Sequence, residues 1–305
     1  MMMSAGTELL PIHLRLPATS ANLGPGFDAL GLAMSLYLTI DAAVHETFQI
    51  DATGRDAALC AALDDNLILT TYESILKVAG REVHPLKIKL HNEIPLGMGC
   101  GSSAAALLAG VVLANHFGGL GWISQQILEE ACRREGHPDN VAACWLGGMT
   151  ASAMLQEKVV TATFGLKLPW RLVLALPSTS LSTSKARALL PATYSRADAV
   201  ANVQNTALLV SAFALERPEL LQAAMADFIH QPYRQEACPL LPLLLPLSGH
   251  PGVYGVSLSG AGPSVLLLTN STVPASTIIA MVRNAVNSSN LEILETYISG
   301  ATEVG

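Results

Sequence analysis

Along residues 86–91 apolar and polar side chains alternate, Leu86, Ile88 and Leu90 against Lys87, Lys89 and His91. A period of two puts one set on a buried face and predicts a strand. From 104 to 114 the pattern becomes a run of Ala, Leu and Val interrupted only by Gly110. Apolar on every side, it predicts a buried helix. Spanning the junction is Pro95-Leu96-Gly97-Met98-Gly99-Cys100-Gly101-Ser102-Ser103-Ala104-Ala105. Glycines there can take positive φ and let a ligand approach the backbone. The free N–H groups and dipole of the helix end favour an anion. The stretch predicts a phosphate cradle, and a tight turn capped by serine remains the other reading. It has no Gly-Lys-Ser/Thr ending of a Walker loop, and Gly-x-Gly-x-Gly is not the dinucleotide fingerprint. A helix N-terminus contributes roughly 0.3–2 kcal/mol toward an anion, whereas micromolar binding needs about 8 kcal/mol. A metal, a base pocket or cationic side chains must help.

The same patterning predicts strands at 12–16 and toward the end of the apolar stretch 29–40, with 47–51 pairing back. Helices are expected at 66–78 and 125–134, the second ended by Gly136, and strands at 149–155 and 159–164. After a change of texture near 165 come a strand at 171–176, helices at 197–215 and 218–230, and strands at 253–258 and 265–269. A helix at 275–287 and a strand at 291–298 finish the chain. Pro239, Pro242 and Pro246 make the intervening segment a poor long helix. The reading is two α+β domains, residues 1–160 and 161–305, joined near 155–170.

Composition narrows the function classes. Half of the 305 residues are hydrophobic, 13% are charged and the formal charge is −7. With no basic run, this argues against a nucleic-acid partner and for a small substrate. Five cysteines lie far apart without a CxxC pair, a reduced, intracellular pattern. The start has no signal-peptide pattern, and no segment reaches the ~18 apolar residues of a membrane span; cytoplasmic is the default.

Candidate chemistry gathers in a few places. A second glycine turn, 259–264, contains Gly260, and two such turns in different halves suggest a cleft for an anionic ligand. Glu135 suits Mg²⁺ beside a nucleotide or a solvated helix end. His137 is read as structural or catalytic, and Asp139 as a possible N-cap of the following helix. Arg187 and Arg234 can each fork onto a carboxylate or lie on the surface. Asn22 and Asp28 also suit a turn. Taken singly, none of these residues decides the matter.

Taken together they resemble a family. Pro-Ala-Thr-Ser-Ala-Asn-Leu-Gly-Pro-Gly-Phe-Asp-Ala-Leu-Gly (17–31) resembles the first motif of homoserine kinases, and 95–105 resembles the phosphate loop of the wider GHMP kinase superfamily. Gly-His-Pro-Asp-Asn-Val-Ala, Thr183-x-x-x-Arg187 followed by Leu-Pro, and Ser-Gly-Ala-Gly-Pro-Ser (259–264) follow in the family's order. The resemblance implies an N-terminal domain like ribosomal protein S5 domain 2 and a ferredoxin-like C-terminal domain. It implies ATP-dependent phosphorylation of the side-chain hydroxyl of L-homoserine, with ATP and Mg²⁺ as cofactors, and it admits a homodimer. By motif position, residues 95–105 would hold the ATP phosphates, and Ser103 and Glu135 the Mg²⁺. Asn22, Asp28, His137 and Asp139 would bind the amino and hydroxyl ends of the substrate, with Gly260 beside them. Arg187 and Arg234 would grip its carboxylate, and Thr183 would lie near the transferred phosphate. Asp28, Asn140, Thr183 and Arg187 form the implied catalytic set, Asn140 standing where mevalonate-type relatives place an Asp. Cys100 replaces the usual Leu of the loop. Some relatives carry the metal-binding Glu further upstream, a spacing that Glu129 holds here, so Glu129 and Glu130 rival Glu135. Another small-alcohol kinase, acting on a mevalonate-like substrate, and a non-catalytic nucleotide-binding sensor are the competing readings.

Overall fold

The computed structural model describes residues 9–305. The chain opens with β1 (Ile12–Asn22), β2 (Gly26–Val44) and β3 (Gln49–Gly54), then α1 (Ala57–Ala61), α2 (Leu67–Val78) and β4 (Leu86–Asn92). After the glycine loop come α3 (Ser102–Phe117), α4 (Ser124–Glu135), α5 (Asp139–Leu146), β5 (Met149–Leu155) and β6 (Lys158–Phe164). The Asn66 side chain accepts from the N–H groups of Ile68 and Leu69 and so fixes where α2 begins. Gly136, at φ 89°, ends α4. The expected strand at 86–91 and the helix at 104–114 are both present, each slightly longer than its pattern.

The first sheet runs β11-β1-β2-β4-β3, where β11 is Glu303–Val304, and β5 and β6 extend it from the first half of β2. Two expectations change here. The strand near 47–51 does not pair back on β2; β3 lies parallel to β4, Ile50 opposite Ile88. The α1–α2 crossover makes a parallel neighbour reachable, which local alternation cannot reveal. The sheet also keeps β6 to Phe164 and takes back 303–304, so the N-terminal layer runs past residue 160.

The C-terminal half contains β7 (Trp170–Leu176), α6 (Thr183–Ala188), α7 (Arg196–Ala214), α8 (Leu221–Ala224), α9 (Gln231–Arg234) and α10 (Leu240–Leu244). It ends with β8 (Val253–Leu258), β9 (Val265–Asn270), α11 (Ala275–Ala285) and β10 (Glu292–Tyr297). Its sheet, β10-β7-β9-β8, is antiparallel throughout and has the β-α-β-β-α-β plan of ferredoxin-like domains. Leu172, Leu174 and Leu176 of β7 join the core shared with the first sheet, while Val173 and Ala175 pack toward Leu241, Leu244, Ile278 and Val282. The continuous helix expected at 218–230 is absent. A 3₁₀ turn and α8 end by Ala224, and the Asp227 carboxylate accepts from the N–H groups of Ile229, His230 and Gln231. That side chain supplies the partners a helix would have used. Among the described residues no helix is long and apolar enough to cross a membrane.

Candidate active site

The loop between β4 and α3 uses the conformational freedom of its glycines. Gly97, Gly99 and Gly101 have φ of 67°, 74° and 71°. A Cβ on Gly99 would overlap the Ser259 carbonyl oxygen and come within 2.8 Å of that of Gly262. The second glycine turn is therefore packed directly on the first. Ser259 Oγ donates to the Gly99 carbonyl at 2.7 Å, and the Gly260 N–H to the Ala21 carbonyl at 3.1 Å. Cys100 is buried, its carbonyl accepting from the Thr19 N–H at 3.0 Å, and burial pushes its thiol up to about 12. It supports the loop from behind.

The 17–31 motif supplies the opposite wall. β1 and β2 meet in a turn whose Asn22, Leu23 and Gly24 all have positive φ, as does Asp28. Asn and Asp tolerate that region, but Leu does not, and Leu23 is held there by complete burial. Asn22 donates from Nδ2 to the Gly260 carbonyl at 2.9 Å and accepts the Asp28 N–H at 3.1 Å. Asp28 meets Arg187 of α6 in a two-pronged pair, at 2.8 and 2.9 Å. At the start of α5, His137 Nδ1 lies 2.6 Å from an Asp139 carboxylate oxygen that also accepts the Asn140 N–H. Asp139 is the first residue of α5, preceded by Pro138, and bonds the next N–H instead of acting as an ordinary N-cap. The Asn140 amide oxygen accepts from Thr19 Oγ at 2.8 Å and ties α5 to β1.

These elements enclose a cleft of about 210 Å³. Of the sequence candidates, Asn22, Asp28, Gly97, Gly99 through Ala104, Glu135, His137, Asp139, Asn140, Thr183, Arg187, Arg234 and Gly260 line it. Pro95, Leu96, Met98 and Ala105 do not; Leu96 lines a separate slot and Ala105 is fully buried in the core. Asp28, His137 and Asp139 bring one ligating atom each to within 4.8 Å of the others. Their charges are already partnered, Asp28 by Arg187 and Asp139 by His137. Burial alone would lower the His137 imidazole, but the Asp139 hydrogen bond and charge, with Glu135 and Asp28, raise it overall.

Glu135 differs. Burial raises its carboxyl, and it has no ion pair among the described residues. Its rivals are engaged elsewhere and do not line the cleft: Glu130 is clasped by Arg133 and Arg134, and Glu129 accepts from Gln125. A desolvated carboxylate and the exposed Ser103 hydroxyl on the same cleft form a hard oxygen set of the kind Mg²⁺ takes alongside phosphate.

Two features escaped the sequence. An apolar slot of about 120 Å³ opens beside Ser102, walled by Leu59, Leu67, Ile68, Leu90, Ile94 and Leu96, with Asn66 and Asn92 as its polar groups. These residues come from α1, α2, β4 and the loop after it, and no local pattern joins them. Phe27 is the second, with the Arg187 and Arg234 guanidinium carbons 5.3 and 5.5 Å from its ring centroid.

A phosphate-type loop sealed against a second glycine turn, over a ferredoxin-like half, defines a GHMP kinase. The family description "GHMP kinases N terminal domain" matches residues 66–148 and "GHMP kinases C terminal" matches 209–288. Within that superfamily the chain belongs to the homoserine kinase family. It is 50% identical over 257 residues to a homoserine kinase of Solibacter usitatus, covering 84% of each chain. It is 42% identical over 260 residues to one of Desulfitobacterium hafniense, covering 85% of this chain and 88% of the relative. A crystal structure of homoserine kinase from Cytophaga hutchinsonii superposes with a TM-score of 0.81 at 25% identity, covering all of both chains.

Proposed function

We propose that this chain transfers the γ-phosphoryl group of ATP to the side-chain hydroxyl of L-homoserine, giving O-phospho-L-homoserine and ADP. One observation carries the reading. Opposite the glycine loop lie a buried guanidinium, Arg234, without a carboxylate partner among the described residues, and two carboxylates beside an imidazole, Asp28, Asp139 and His137. Charges of opposite sign on one small cleft match a zwitterion, with its carboxylate toward the arginines and its ammonium toward the acids. A mevalonate-like acid has no ammonium for the second half.

The remaining roles follow from position. The N–H groups of 97–103 and the start of α3 would hold the phosphates, with Gly99 keeping the approach open. The apolar slot would take the nucleotide base, the extra binding that a helix dipole alone cannot supply. Ser103 and Glu135 would hold Mg²⁺, which when bound neutralises phosphate charge. Asn22 fixes the backbone of Asp28, and Asp28 orients the acceptor hydroxyl. Substrate arrival must loosen the Asp28–Arg187 pair, freeing Arg187 for the carboxylate or the transferring phosphoryl group. Thr183, the first residue of α6, lines the cleft and would lie near the transferred phosphate. Phosphoryl transfer depends mostly on positioning and charge stabilisation, so no strong base is needed. The five cysteines are unpaired, which suits a cytoplasmic enzyme.

The test is ADP release with purified protein, ATP and Mg²⁺ against homoserine, serine, threonine, mevalonate and no acceptor. Turnover with homoserine well above the others supports the proposal. Turnover confined to mevalonate, or ATP binding without turnover on any acceptor, ends it.

A further inference from the structure

Arg234 is the unusual charge of this molecule. It is 1% exposed, yet among the described residues it has no ion pair. The buried acid on the preceding turn, Asp227, is occupied by three backbone N–H groups. A carbonyl and an imidazole hold the guanidinium instead. Nε donates to the Ala186 carbonyl at 3.2 Å, and Nη1 lies 3.0 Å from His230 Nδ1. The other ring nitrogen, Nε2, lies 2.8 Å from the Gly24 carbonyl oxygen.

These contacts fix the proton. A guanidinium has only hydrogens to offer and a carbonyl only lone pairs. Nδ1 must therefore be bare and Nε2 must carry the hydrogen, and a single tautomer of the neutral ring satisfies both. We propose that His230, held as that neutral tautomer between the Gly24 carbonyl and the Arg234 guanidinium, is a positioning residue that aims Arg234 at the carboxylate of the acceptor. The inference rests on the homoserine kinase reaction proposed above. A carboxylate in the place of His230 would also orient the arginine, but it would cancel the charge the substrate needs. A neutral acceptor orients without cancelling.

The surroundings keep the ring neutral. Facing it are Asp227 from its own turn, with Oδ2 3.5 Å from Nε2, Arg234 from α9, Asp28 from β2, and the Phe27 ring at 5.4 Å between centroids. From α7 comes an uncharged amide, Asn202, bonded to the Phe228 N–H and the Pro25 carbonyl. Around Arg234 itself lie Arg187 and Cys238. Burial pushes the imidazole below its ordinary value; Asp227 opposes and Arg234 reinforces that. A second proton, on Nδ1, would point at the guanidinium and drive Arg234 away.

Two substitutions separate the two hydrogen bonds. His230→Asn places an amide oxygen near Nδ1 and loses the donor to Gly24. His230→Gln reaches Gly24 and leaves Arg234 without its acceptor. With ATP saturating, His230→Gln is expected to raise the homoserine KM about tenfold or more, the loss of one hydrogen bond to a charged group. The ATP KM and the Tm should stay near wild type. His230→Asn is expected to melt earlier yet keep a homoserine KM within about threefold. In the wild type, homoserine KM should rise on acidification past the ordinary histidine range, and His230→Asn should lack that rise. A purely structural histidine gives the reverse, with KM following Tm, and overturns the proposal. If neither variant folds, the wild type decides: nitrogen-15 NMR at about pH 7.5 should find the His230 ring neutral with its hydrogen on Nε2, and a hydrogen on Nδ1 overturns the proposal. Arg234→Met, run alongside, separates the failures. No ADP release by wild type on homoserine refutes the reaction itself. An unchanged KM in Arg234→Met refutes the role of Arg234 and this inference with it. A raised KM in Arg234→Met with a normal His230→Gln refutes the role of His230 alone.

Discussion

Gly99→Ala tests whether the two glycine turns form one rigid cradle. A methyl group there would overlap the Ser259 carbonyl oxygen and sit 2.8 Å from that of Gly262, so backbone on one side must move. Keeping φ at 74° costs an L-residue about 1–2 kcal/mol. Moving the loop also strains or breaks two hydrogen bonds, Ser259 Oγ to Gly99 O and Gly260 N to Ala21 O, at about 0.5–1.5 kcal/mol each. The sum is about 2–5 kcal/mol, divided between folding and nucleotide binding. ADP-release kinetics with ATP varied should show kcat/KM for ATP down by about tenfold or more, and calorimetry a Tm lower by about 4 °C or more. Gly119→Ala is the control: its φ is 58° but nothing lies within 4 Å of the added carbon. It carries backbone strain without the clash, so it should lower Tm slightly and leave kinetics unchanged. A Gly99→Ala enzyme matching the control in both measurements would refute the packed-cradle argument.

Other perturbations address single roles. Asp28→Asn removes the charge facing Arg187; if Asp28 orients the acceptor hydroxyl, kcat falls by about 10–100-fold, whereas a change in homoserine KM alone would make it a binding group. Glu135→Gln should move the Mg²⁺ midpoint for activation up by about tenfold while Glu129→Gln leaves it in place; equal behaviour of the two would remove Glu135 from the metal set. His137 is raised in the fold, so it stabilises fully below the ordinary histidine value of about 6.5, and that contribution is lost as pH rises through the native value. Chemical denaturation of wild type against His137→Gln should therefore differ most in acid and converge above neutrality; a gap widening with pH would contradict the Asp139 pairing.

Much of this was legible where chemistry is local. The alternation of 86–91, the glycines at 97, 99 and 101 and the Ala/Leu run after them specify strand, positive-φ turn and buried helix without outside help. What escaped depended on distant partners. Nothing around residue 50 says that Ile50 lies opposite Ile88, because strand pairing is set by the crossover and not by the strand. The helix expected through 218–230 failed because one carboxylate, Asp227, outcompetes helical hydrogen bonding, and its aim is not visible in a pattern of apolar residues. The apolar slot went unseen because Leu67 and Leu90 read only as the apolar positions of a helix and a strand, and nothing local shows that the fold leaves a space between them and Leu59 and Leu96. His230 was passed over for a related reason: its partners, Gly24 and Arg234, are respectively far off in sequence and one helical turn away.

The contact of Gly99 with the 259–262 turn bears on how ligands enter. With a shared apolar core behind it and backbone against backbone at the seam, the molecule cannot open like a clamshell around the nucleotide. The stretch 177–188 is tied to the same loop by the 3.3 Å bond from the Leu181 N–H to the Gly97 carbonyl. Any swing of one half against the other would have to break that backbone seam as well as the Asp28–Arg187 clasp.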